Sequence, residues 1–111
     1  MTHPFQLNHQ RVLITGASSG IGRATAVACA QAGAQVFLLA RSEERLAQTL
    51  ASLPNGQHQT AAIDITDEAA LGYQINQWRS QWGDFSGLVN AAGITQTKPL
   101  RSLKSSHLAE L

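Results

Sequence analysis

Residues 11–22 read Arg11-Val12-Leu13-Ile14-Thr15-Gly16-Ala17-Ser18-Ser19-Gly20-Ile21-Gly22. An apolar run of strand length meets a glycine turn, and the turn opens directly onto Arg23-Ala24-Thr25-Ala26-Val27-Ala28-Cys29-Ala30, a stretch with the character of a helix. Strand, glycine turn and helix in this order build a seat for a dinucleotide pyrophosphate. Gly16 allows the backbone to turn sharply out of the strand, and the later glycines let a phosphate approach closely. The unpaired N–H groups that begin the helix then face the negative charge. The order carries the inference, since a glycine run by itself says little.

Outward from that segment the chain alternates strand and helix, which implies an α/β fold with a parallel sheet and helices on its faces. The pattern predicts strands at 11–15, 35–40, 59–65 and 87–91, and helices at about 19–32, 42–53 and 66–82. The first helix stops at Gly33, a natural C-terminal cap. Its apolar side is read as alanines with Ile21, Val27 and Cys29. Val36-Phe37-Leu38-Leu39 has the unbroken apolar character of a strand covered on both faces. Ser42 is the expected N-cap of the second helix, whose apolar positions include Leu46, Leu50 and Leu53. Pro54-Asn55-Gly56 marks a turn. Thr66 or Asp67 caps a third helix in which Leu71, Ile75, Trp78 and Trp82 recur at helical spacing as a core stripe. Another helix is expected to begin within 100–111. Right-handed crossovers and a ligand at the switch point predict a Rossmann-type, doubly wound sheet with strand order 3-2-1-4.

The 111 residues suit one small domain, and 43% hydrophobic with 14% charged residues reads as globular. A formal net charge of +1 supplies no basic field, so no nucleic-acid partner is expected. The apolar runs are strand-sized and the N-terminus lacks the pattern of a secretory signal, so neither a membrane span nor export is expected, and a cytoplasmic location follows. Cys29 is the single cysteine, which leaves no internal disulfide; its setting suggests a packed, inert thiol. His3, His9, His58 and His107 have no ligand spacing and read as surface or strand-end residues rather than a metal site.

With Thr15 before it, the G-x-x-x-G-x-G spacing resembles the cofactor fingerprint of the short-chain dehydrogenase/reductase family. The Arg41 neighbourhood, Asp64-Ile65 and Asn90-Ala91-Ala92-Gly93 fit the same resemblance, which spans the chain from about residue 10 to its end. Gly16, Ser18, Ser19, Gly20, Ile21 and Gly22 are the candidate pyrophosphate-binding residues, with the two serines able to donate hydroxyl bonds to phosphate or to cap the helix. The resemblance implies that Thr15 ties the first strand to the fourth, that Asp64 meets the adenine amino group, and that Ile65 offers backbone contacts. Asp64 could instead cap the following helix. Asn90, Ala91, Ala92 and Gly93 correspond to the family's Asn-Asn-Ala-Gly motif, with Ala91 replacing the second asparagine. Small residues there let the backbone pass beneath the adenosine ribose, and Asn90 also braces the sheet.

The end of the second strand bears on cofactor choice. A carboxylate there would bind the ribose hydroxyls and repel a 2′-phosphate, favouring NAD. This chain has Ala40-Arg41-Ser42. Arg41 offers a permanently charged donor fork suited to phosphate, and Ser42 a hydroxyl, so NADP(H) is expected over NAD(H). The alternative for Arg41 is a solvated pairing with Glu43 or Glu44. Arg23 either assists or sits exposed on its helix.

The resemblance implies hydride exchange between nicotinamide and a small carbonyl or alcohol substrate, with a tyrosine as proton donor, a lysine four residues on, a serine and an asparagine. None of that set can be placed. Tyr73 is the only tyrosine, and Gln77 stands four residues after it. No catalytic residue is therefore assigned. The expectation is a cofactor-binding N-terminal portion of a chain of about 250 residues, homo-oligomeric when complete. Activities such as 3-oxoacyl carrier-protein reduction are among those the family implies, and Thr95, Gln96 and Thr97 are candidates for the pocket entrance. A non-catalytic nucleotide-binding or regulatory module is the alternative from another class, and an NAD-dependent epimerase-like relative a further one.

Overall fold

A computed structural model of the chain describes residues 6–18 and 20–91. Ser19, Ala92, Gly93, the 95–97 stretch and the expected helix within 100–111 lie outside the described residues. The elements are β1 (Arg11–Thr15), α1 (Gly20–Gln31), β2 (Gln35–Ala40), α2 (Glu43–Ala51), β3 (Gln59–Ala62), α3 (Glu68–Trp82) and β4 (Gly87–Asn90).

All pairings are parallel, and the sheet runs β3-β2-β1-β4, the predicted order. Val12 pairs with Val36 and Gly87, and Thr15 with Leu39 and Asn90, so β1 and its two neighbours end level with one another. Because side chains alternate across a strand, the continuous apolar runs feed two separate cores. Val12, Ile14, Val36 and Leu38 face one layer with Ala26 and Ala30 of α1 and Leu46 of α2. Leu13, Phe37 and Leu39 face the other with Leu71, Ile75 and Trp78 of α3. Phe37 is the centre of an aromatic group, its ring centroid 5.2 Å from Trp78 and 4.9 Å from Phe85.

Several boundaries and faces differ from the sequence expectation. The sheet-facing stripe of α1 is Gly22, Ala26 and Ala30, four residues apart, so Ile21 falls off the stripe and is 45% exposed. On α2 the stripe is Leu46 and Thr49; Leu50 lies outside it and is exposed, and the helix ends at Ala51 with Ser52 as its cap. Leu53 packs on the core from beyond the helix end. β3 stops at Ala62 rather than Ile65. Ile63 N–H still reaches the Ala40 carbonyl at 2.8 Å, after which Asp64 folds the chain into a turn. Asp67, not Thr66, caps α3 by accepting the Ala70 N–H. Trp82 is half-buried, against the aromatic group rather than deep in the stripe.

Gly33 (φ 105°) and Gly83 (φ 103°) close α1 and α3 in the left-handed region that a glycine tolerates. Burial pushes the Cys29 thiol above its ordinary pKa, in keeping with a packed, unreactive group. His58 is a strand-end residue, as its position suggested. Among the described residues, no helix is long and apolar enough to cross a membrane.

Candidate functional site

The four strands run the same way, so their C-terminal ends form one rim. From β1 the chain leaves toward the α1/α2 layer, whereas β4 follows α3 on the opposite layer. The rim between β1 and β4 is thus the topological switch point, where open parallel sheets present a crevice. Gly16, Ala17, Ser18, Gly20, Asn90 and Ala91 gather there, with Arg41, Ser42, Asp64 and Ile65 beyond β2 and β3 along the same rim.

The glycine turn is held by contacts to β2 and to α1. Gly16 adopts φ 71°, and the N–H groups of Gly16 and Ala17 donate to the Leu39 carbonyl at 2.9 and 3.2 Å. A Cβ on Gly22 would overlap the Gly16 carbonyl oxygen and lie 2.7 Å from the Gly16 carbonyl carbon, so only glycine lets α1 begin this close to β1. Gly20 differs: a Cβ there would meet no atom of a described residue within 4 Å. Among the described residues, nothing fills the space beside Gly20 at the helix start. No acidic residue occupies the first turn of α1, while α2 opens with Glu43 and Glu44 and α3 with Glu68. No acidic side chain of that first turn offsets the positive end of the α1 dipole. Ser18 is half-buried beside this space, and exposed Ile21 lies at its margin.

At the far side of β2, Arg41 is exposed, and no hydrogen bond or ion pair to a described residue engages its guanidinium. The pairing with Glu43 or Glu44 is not formed. Ser42 Oγ accepts the Arg45 N–H at 3.1 Å as the N-cap of α2, which leaves its proton available to a ligand. Asp64 Oδ1 accepts both the Thr66 N–H at 2.9 Å and the Thr66 hydroxyl at 2.7 Å. Those bonds hold the exposed carboxyl below its ordinary pKa, and the Arg41 charge adds to them. Asp64 therefore shapes the turn before α3 without capping that helix, and Ile65 sits half-buried within the turn.

At the end of β4, the Thr15 hydroxyl donates to Asn90 Oδ1 at 2.7 Å, joining the strands at the register pair Thr15–Asn90. Ala91 follows, a small side chain that is fully buried. Tyr73 is 66% exposed on α3, in the helix that covers one sheet face, and takes no part in the rim.

Arg23 does not stand free on its helix. Its Nε donates to Thr49 Oγ1 at 3.1 Å and its Nη2 to Gln48 Oε1 at 3.5 Å. Thr49 in turn donates to the Ala17 carbonyl at 3.0 Å. This buried link between the glycine turn and α2 escaped the reading of the sequence. Its signal was a polar residue three positions after Leu46, on the apolar stripe.

A profile of the short chain dehydrogenase family matches residues 10–111. Levodione reductase of Leifsonia aquatica is 39% identical over 87 residues, 75% of this chain and 33% of the relative. The 3-oxoacyl-acyl-carrier-protein reductase of Escherichia coli is 37% identical over 92 residues, 83% of this chain and 37% of that protein. The solved structure of a citronellol catabolism dehydrogenase from Pseudomonas aeruginosa superposes with a TM-score of 0.74 at 32% identity, covering 85% of this chain and 43% of that one. This chain spans about a third to two-fifths of the length of the curated relatives it matches. Glycine turn, strand order and family profile agree, and the chain belongs to the short chain dehydrogenase family.

Proposed function

We propose that this chain supplies the nucleotide-binding part of an oxidoreductase that uses NADP(H) in preference to NAD(H) and acts on a small carbonyl or alcohol. The observation that carries the nucleotide reading is the acid-free start of α1, with no described residue filling the space beside Gly20, next to a turn whose close approach to α1 requires glycine at position 22. In this reading, the backbone amides from Ser18 to Gly22 and the hydroxyls of Ser18 and Ser19 hold the diphosphate. Asp64 takes the adenine amino group through its uncommitted oxygen, with Ile65 beside it. Asn90, Ala91, Ala92 and Gly93 form the floor under the ribose. When bound, the nicotinamide supplies a hydride donor or acceptor.

The preference for the phosphorylated cofactor rests on Arg41. Its guanidinium follows Ala40 at the end of β2, no carboxylate stands at that strand end, and Ser42 has a proton to give. The Asp64 carboxylate opposes this by its own charge, but it is exposed and bonded to Thr66. Substrate class follows the relatives, whose names include reductases of levodione and of 3-oxoacyl chains. The proton donor and its partners belong, in this reading, to a further part of a chain of about 250 residues. That chain is cytoplasmic and homo-oligomeric.

Steady-state kinetics of the intact protein test the cofactor choice, with acetoacetyl thioester and levodione as probes. The KM for NADPH is expected to lie well below that for NADH. Arg41→Asp should invert the order, since a lost phosphate contact and an added repulsion each amount to about 1–3 kcal/mol. Equal KM values in the parent protein, or no change on substitution, would refute the preference.

A further inference from the structure

Thr49 is fully buried on the inner face of α2, and its hydroxyl touches the glycine turn and an arginine at once. A guanidinium offers protons and no acceptor site. Because Arg23 Nε already donates to Thr49 Oγ1, the single hydroxyl proton is committed to the Ala17 carbonyl. The peptide after Ala17 is trans, so its carbonyl and the Ser18 N–H point to opposite sides. Drawing the Ala17 carbonyl toward α2 therefore turns the Ser18 N–H away from α2, and no described residue accepts that proton. The other side of the turn is anchored as well, through the Gly16 and Ala17 N–H groups on Leu39.

We infer that Thr49, oriented by Arg23, is a positioning residue for the nucleotide: it fixes the Ala17–Ser18 peptide so that the Ser18 N–H faces the diphosphate. The inference rests on the nucleotide reading above. It also ties the two ends of the site together, because the helix that carries Thr49 is capped by Ser42, next to Arg41.

Calorimetric titration of the intact protein with NADPH, read for both dissociation constant and number of sites, tests the inference. Thr49→Val keeps the shape but removes the hydroxyl; it should raise the dissociation constant about tenfold with the number of sites unchanged. Thr49→Ser should bring the constant back to within about twofold of the parent. Leu46→Val, in the same core, should lower the melting temperature and leave the constant as it was. Wild-type affinity in Thr49→Val overturns the inference, as does a reduced number of sites at unchanged affinity, which is what a merely structural role gives. If Thr49→Val does not fold, Arg23→Met decides: it frees the hydroxyl proton to rotate and should weaken binding by a smaller factor, and unchanged affinity there overturns the inference. A parent protein that binds neither NADPH nor NADH overturns the nucleotide reading itself.

Discussion

Gly20 and Gly22 stand two residues apart at the start of one helix, yet they should respond to alanine in opposite ways. At Gly22 the new methyl would collide with backbone: the Gly16 carbonyl oxygen, the Gly16 carbonyl carbon at 2.7 Å and the Ala17 Cα at 2.9 Å. Backbone cannot swing aside as a side chain can. Relief requires α1 to lift from β1, against the contact made by Ala26 and Ala30. Overpacking of this kind costs about 1–3 kcal/mol. Gly22→Ala should thus unfold at clearly lower denaturant concentration. At Gly20 no atom of a described residue lies within 4 Å of the added methyl, and the residue is exposed at the first helical position. Removing backbone freedom there should leave stability level or raise it by about 0.4–1 kcal/mol. The methyl would nonetheless enter the space assigned to the diphosphate. A clash of about 1–3 kcal/mol corresponds to about a 5- to 140-fold loss of affinity, at about 1.4 kcal/mol per tenfold. Urea unfolding and NADPH titration on the same two variants of the intact protein separate these effects. Wild-type affinity in Gly20→Ala would refute the placement of the diphosphate, and wild-type stability in Gly22→Ala would refute the close approach of α1.

Thr15→Val removes the 2.7 Å hydrogen bond to Asn90 Oδ1 and should lower stability by about 0.5–1.5 kcal/mol in urea, the net worth of one such bond. An unchanged midpoint would mean that the β1–β4 seam does not depend on this bond. His58 predicts a pH dependence. Nδ1 accepts the Val36 N–H at 3.1 Å, so the ring proton is on Nε2, which donates to the Pro54 carbonyl at 3.2 Å. Burial lowers the pKa below the ordinary 6.5, and the Pro54 bond offsets this in part. The unfolded chain then binds a proton at higher pH than the folded one. The His58 contribution should be complete above 6.5 and decline as the pH falls through the lower folded value. His58→Phe should flatten that part of the stability curve, and an unaltered slope would count against the bonded ring.

The central strands were legible in the sequence because each is bounded by chemistry that stops it. Arg11–Thr15 ends at a glycine in the left-handed region, and Gln35–Ala40 lies between Gly33 and the cap Ser42. β3 was read too long because Ile63 and Ile65 continue its apolar pattern, while a carboxylate between them binds forward to Thr66 and ends the pairing. Ile21 and Leu50 misled for a related reason. Hydrophobicity suggests burial, but the helix phase fixed by Gly22–Ala26–Ala30 and Leu46–Thr49 turns both outward. The turn at Gly16 between β1 and α1 was readable from residue order alone. The Thr49–Ala17 bond was not, because it joins residues 32 apart through a polar group that pattern rules place on the surface.

A crystal structure of the intact protein with NADP+ bound is the most direct measurement. The diphosphate should lie over the start of α1, between the Gly16 turn and Gly20, with the 2′-phosphate within hydrogen-bonding reach of Arg41 and the adenine beside Asp64. A nucleotide bound elsewhere than the rim between β1 and β4, or a 2′-phosphate facing away from Arg41, would contradict the account.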